Sequence, residues 1–299
     1  MLEASTVTLA DTKDSCARSC TSSCARPRTI TAWPFSFKLL LVLTAAWLAI
    51  VLSGSYWYSV DPYAMDFSRS LQGPSAEHLL GCDRMGRDVL ARLFHGAWTS
   101  LALAVVIIGI SLAIGTVIGL WSALRQGWIA NLLSALMNAL LSFPQSLAVI
   151  LVAGLLGVGI WHSVMVLCLF WWIHFARICY CRTVSLLKEE YIRQARLSGE
   201  SSWALVRLYI LPVLKGQLIL TALLDLSAAI LALSTLSFLG LSTQPPEPEW
   251  GTILFENRAY LQNAPHLLFF PALCIFISAL LCNLLGQSYA LYRAQHTHR

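Results

Sequence analysis

Six stretches of the chain are almost wholly apolar: Phe37–Tyr56, Ser100–Trp121, Ile129–Ala153, Ile160–Ala176, Leu218–Leu239 and Leu267–Leu285. Each is close to the ~20 residues that a helix needs to cross a bilayer. Such runs predict helices, because backbone N–H and C=O groups in hydrocarbon must bond within their own segment. The pattern of short alternating segments expected of a membrane β-barrel is missing from the sequence. The expected fold is all-α, a polytopic membrane protein with six transmembrane helices.

Polar positions divide the rest. Residues 1–36 are rich in Ser, Thr and Arg and predict a flexible N-terminal tail. Residues 37–292 form one expected membrane domain, and residues 293–299 a short C-terminal tail. Within the domain, an outer segment of roughly 40 residues follows the first run, as a connection too long for a simple turn. It ends in "GRDVLARLF", read as a short amphipathic helix that leads into the second span. A long inner loop spans 177–216, and the outer loop 240–266 carries "QPPEPEW". Pro144, in "LSFPQS", falls inside the third run, where a missing N–H is expected to bend a helix.

Charge settles the orientation. With the N-terminus inside, fifteen of the twenty Lys and Arg residues fall on inner segments, against five outside (Arg69, Arg84, Arg87, Arg92 and Arg258). The positive-inside rule then places both termini in the cytoplasm. Only 12% of residues are charged and mean hydropathy is +0.67, against about 25% charged for a soluble domain. The net charge of +5 therefore reads as topology. It provides no basic face for nucleic acid.

The inner loop holds the most informative polar stretch, "KEEYIRQARLSGESSWALVRLYILP", Lys188 to Pro212. Its first half has good helix formers, Gly199 suits a helix stop, and Ser201 or Ser202 suits the cap of a second helix that ends at Leu211-Pro212. Two short helices at a tight turn predict a compact cytosolic knob; a solvated connecting loop is the plainer alternative. No GxxxxGK[ST], HExxH, GxSxG or CxxC pattern occurs in the sequence, so neither ATP binding nor enzymatic chemistry is expected on this polypeptide.

The stretch "EYIRQARLSG" followed by "ILP" resembles the EAA loop of permease subunits in bacterial ABC importers. The wider chain is similar to the second permease of the dipeptide, oligopeptide and nickel group. Further blocks in family order are "DPYAMDFSRSLQGPSAEHLLGCDRMGRDVLARLFHGAWTSL", "FPQSLAVILVAGLLG", "HFARICYCRTVSLLKEEYIRQARLSG", "LSFLGLSTQPPEPEWGTIL" and "NLLG". Gln194 stands where the family usually has an alanine. The resemblance implies a location in the bacterial inner membrane, a heterodimer with a homologous permease and two ATP-binding subunits carrying ATP and Mg. It also implies delivery of a small peptide or nickel-type solute by an extracytoplasmic binding protein. The ATPase contact would then fall to Glu190, Tyr191, Ala195, Arg196, Gly199 and Pro212.

Other candidates follow from position. Asp225 is an ionisable residue inside the fifth run, and such residues mark paths or interhelical bonds. With Pro144, Glu249 and Trp250 it is a candidate for the path or its gate. His162 and His174 are weak metal candidates. Cys16, Cys20 and Cys24 recur every four residues, leaving a metal-binding tail and a reduced mobile tail as alternatives. Arg84, Arg87 and Asp88 suggest a local charge network or a contact with the binding protein. Two rival functions remain at this level: an ion-gradient-driven secondary transporter or channel, and a structural membrane assembly subunit.

Overall fold

The computed structural model describes residues 33–125, 127–142 and 144–296. The three tail cysteines lie outside the described residues. The helices are α1 (Trp33–Trp57), α2 (Val89–Arg125), α3 (Trp128–Ser142), α4 (Gln145–Leu156), α5 (Ile160–Leu186), α6 (Glu190–Leu197), α7 (Ser202–Phe238), α8 (Trp250–Asn257) and α9 (His266–His296). Among the described residues there is no strand, only an isolated bridge between Cys82 and Asp88.

Five of these helices are long and apolar enough to span a bilayer alone: α1, α2, α5, α7 and α9. The sixth apolar run is divided between α3 and α4, bent by 88° as a broken span or a re-entrant loop. At 12 residues, α4 measures only about 18 Å and cannot cross by itself. The kink expected at Pro144 is thus a full break. Pro144 is the extended N-cap of α4 (φ −61°, ψ 98°), and its carbonyl accepts from the N–H groups of Leu147 and Ala148 at 3.0 and 3.1 Å. A proline suits a helix start in this way, whereas inside a helix it removes a backbone hydrogen bond.

The scaffold is organised around α2 and α5, the most extensive helix pair. Their backbones approach closely at Gly115 and Gly119, one turn apart. A Cβ on Gly115 would lie 2.5 Å from the Trp172 carbonyl oxygen, and one on Gly119 2.5 Å from that of Ala176. Small residues at this spacing let membrane helices pack backbone to backbone. The second helix also differs from expectation in length: α2 starts at Val89 and runs 37 residues without a break. Asp88 Oδ1 accepts from the Ala91 N–H at 2.8 Å and caps it. Of "GRDVLARLF", Val89–Phe94 is therefore the first turns of the span and not a separate helix.

Candidate functional site

Local rules build the cytoplasmic hairpin. Glu189 is extended (φ −69°, ψ 141°) and starts α6, whose first turn carries Glu190 and whose last turn carries Arg196. Both charges suit the helix ends they occupy. The Gly199 N–H donates to the Arg196 carbonyl at 3.2 Å, and the Glu200 N–H to the Ala195 carbonyl at 3.3 Å. Those bonds form a Schellman stop, which requires a left-handed residue at its centre; Gly199 supplies it at φ +86°. Ser201 Oγ then accepts from the Ala204 N–H at 3.2 Å and caps α7.

Burial sorts the candidate contact residues. Ile192 and Ala195 are 1% and 9% exposed and pack into a cluster with Leu205, Val206 and Ile210. Ala195 lies three residues beyond Ile192, on the same helix face, so it fills the inside of the knob and is not on its outer surface. Glu190, Tyr191, Arg196, Gly199 and Pro212 are exposed. No atom lies within 4 Å of a Cβ built on Gly199; within the chain, the backbone conformation and not a clash demands glycine there. Two outward residues escaped the sequence reading, Leu197 (88% exposed) and Trp203 (73%). Their only signal was an apolar side chain lying off the Ile192–Ala195 stripe.

Pro212 does not end the second arm. The helix continues from Ser202 to Phe238, with a π-helical turn at Val206–Ile210 immediately before the proline. A wider turn is one way a helix tolerates a residue without an N–H. The hairpin's second arm and the fifth span are one rod. A rod of 37 residues is about 55 Å long.

The outer side contains a buried charge cluster that joins the segment before α2 to α8. Arg87 Nε lies 2.7 Å from Asp83 Oδ2, and Arg87 Nη2 3.0 Å from Glu256 Oε1. Arg92 Nη1 reaches Asp83 Oδ2 at 3.2 Å and Arg92 Nη2 reaches Glu256 Oε2 at 2.6 Å. All four side chains are at most 2% exposed. Asp88 belongs to a second group, accepting from Tyr58 at 2.8 Å and lying 2.7 Å from His78 Nδ1. Burial, followed by the bond to Asp88, raises the Tyr58 phenol above its ordinary range. Arg84 is exposed and outside both groups.

Glu249 and Trp250 correct the gate expectation: both are fully buried. The Glu249 carboxylate accepts from the Thr252 N–H at 3.0 Å and from Ser100 Oγ at 3.2 Å. Trp250 Nε1 donates to the Leu93 carbonyl at 3.0 Å. They cap and anchor α8 and present no surface to a solute or a protein, because both polar groups are already bonded inside the chain.

A groove of about 310 Å³ lies between α4, α5 and α7, lined by residues including Gln145, Ser146, Trp171, Ala228 and Thr235. Pro144 directly precedes Gln145 in sequence and is not itself among the lining residues. Asp225 and His174 sit three residues from Ala228 and Trp171, hence on the same helix faces. His174 Nε2 is 3.8 Å from Asp225 Oδ2. His162 is twelve residues from His174 on α5, about 18 Å along the axis, so the two imidazoles are not brought together. Among the described residues no three His, Cys, Asp or Glu side chains gather in a metal-binding arrangement.

Comparison with known proteins bears on all of this. Residues 115–297 match the family described as binding-protein-dependent transport system inner membrane component. The glutathione transport system permease protein GsiD of Pectobacterium atrosepticum is 34% identical over 251 residues, covering 84% of this chain and 82% of that one. The protein of the same name from Escherichia coli O157:H7 is 36% identical, covering 84% and 81%. In structure, the chain is similar to the inward-facing MetNI methionine ABC transporter, with a TM-score of 0.53 at 19% identity, covering 67% of this chain and 94% of that one; that likeness supports the fold. The chain therefore belongs to the binding-protein-dependent transport system inner membrane component family, as a multi-pass permease subunit of a bacterial inner-membrane ABC importer of the peptide group, working with ATPase and substrate-binding partners.

Proposed function

We propose that this chain is one half of a heterodimeric permease and that solute passes between it and a homologous sister subunit. The hairpin of Glu190, Tyr191, Arg196, Gly199 and Pro212, with Ala195 packed beneath, docks on one of two ATP-binding subunits, where ATP and Mg are held. Leu197 and Trp203 join that contact as its apolar centre. Closure of the ATPase pair pulls on the knob, and α7 carries the displacement into the membrane. The observation that carries this reading is the unbroken helix from Ser202 to Phe238: a motion imposed at one end of a rigid element reaches the other. The groove beside Asp225, Pro144 and Trp171 contributes half of the path.

The solute we assign is a small peptide. The relatives are named for glutathione, a tripeptide, whereas the separation of His162 from His174 gives no support to a nickel site. The deciding experiment is uptake of labelled glutathione, a labelled dipeptide and labelled nickel by cells lacking this chain. Loss of peptide uptake, restored by the wild-type chain but not by Gly199→Val, supports the proposal. Loss of nickel uptake alone, or of none of the three, overturns the solute assignment.

A further inference from the structure

At the outer end of the bundle, remote from the hairpin, a cavity of about 450 Å³ is lined by residues from four separate segments. Ser55 and Tyr56 come from the last turns of α1, Tyr63 from the outer segment, His95 and Trp98 from α2, and Glu247 from the outer loop. No Lys or Arg lines it. Each of its polar groups can offer an acceptor atom. Glu247 offers a carboxylate, one oxygen of which accepts from the Tyr63 hydroxyl at 3.2 Å. His95 Nδ1 lies 3.2 Å from the Ala91 carbonyl oxygen, so it carries the proton, leaving Nε2 as an acceptor. Ser55 Oγ is buried without a hydrogen-bond partner. Three aromatic rings complete the wall, and Trp98 is held in place by its Nε1 bond to the Leu52 carbonyl at 3.0 Å.

A carboxylate, an imidazole, a hydroxyl and aromatic faces together suit a primary ammonium, which has three N–H donors and a charge that ring faces attract. Height in the membrane identifies the source. Tyr56 and Trp57 end α1, 82% and 86% exposed, at the level where such rings meet headgroups. Directly below Trp98, the α2 face of Ala102, Val105 and Gly109 is exposed and would lie against an acyl chain. We propose that this cavity is a binding site for the amine headgroup of an outer-leaflet phospholipid such as phosphatidylethanolamine, which wedges α1, α2 and the outer loop together.

The test is native mass spectrometry of the full chain in detergent with equal amounts of phosphatidylethanolamine and phosphatidylglycerol of the same acyl chains. Wild type is expected to retain the amine lipid roughly fivefold better, the scale of one solvent-exposed cation–aromatic contact. Glu247→Gln, which preserves shape, and Tyr56→Ala, which removes an exposed ring, each bring the ratio to parity. Trp161→Ala, at an exposed aromatic (69%) elsewhere, leaves it unchanged. Equal retention of both lipids by wild type, or a Glu247→Gln chain that keeps the preference, overturns the assignment. Free ethanolamine that displaces the lipid at equal concentration overturns it in favour of a soluble amine. Retained preference with weakened capture of the binding protein makes the cavity a protein contact instead, and equally overturns it.

Discussion

Arg92 Nη2 stands 2.6 Å from Glu256 Oε2 across 164 residues of sequence, with both side chains at most 2% exposed. The bond fastens the start of the second span to the outer helix α8. It closes a group of two cations and two anions that is electrically balanced as a whole.

Removing one member leaves an uncompensated buried charge, so Glu256→Gln is expected to destabilise the chain by about 3–5 kcal/mol. The double change Arg92→Met with Glu256→Met keeps charge balance between Arg87 and Asp83 and is expected to lose less. Denaturant unfolding in detergent separates the two. A single variant as stable as wild type would contradict the closed cluster.

The hairpin separates folding from docking. Leu197→Asp and Trp203→Asp alter exposed positions and should leave unfolding within about 0.5 kcal/mol of wild type, while abolishing co-purification with the ATPase subunits. Ile192→Asp, at a position 1% exposed, should instead lower the yield of folded chain. Retained ATPase capture by both surface variants would remove them from the contact.

Gly199 tests the turn itself. With no neighbour within 4 Å, Gly199→Asn keeps a residue that tolerates the left-handed conformation and should preserve capture, whereas Gly199→Val costs about 1–2 kcal/mol of local backbone strain and should lose it. Equal behaviour of the two variants in a pull-down would show that φ is not the constraint.

Thiol labelling reads the outer segment. Cys82 is fully buried, and burial, with help from Asp88 and Asp83, raises its thiol to about 11. Since the thiolate is the reactive form, Cys82 should resist maleimide at about pH 8, and deprotonation alone would favour reaction only as pH climbs towards its raised value. Cys181 is exposed and should label before Cys82. Mass spectrometry of the labelled chain identifies the order, and early reaction at Cys82 would contradict its burial.

The sequence alone determined the membrane class, the five long apolar spans and the helix–stop–helix code of the hairpin. Those features depend on local composition, charge and backbone conformation, which a linear reading captures. Gly199 and Ser201 could be assigned their roles because each acts within three residues of itself. Only the tertiary structure decided which side of each element meets protein. It turned Ala195, Glu249 and Trp250 inward, exposed Leu197 and Trp203, carried the helix through Pro212 and broke it at Pro144. The physical reason is that burial and long-range pairing arise when segments more than a hundred residues apart, such as Arg92 and Glu256, pack against each other. No periodicity within either segment encodes that partner.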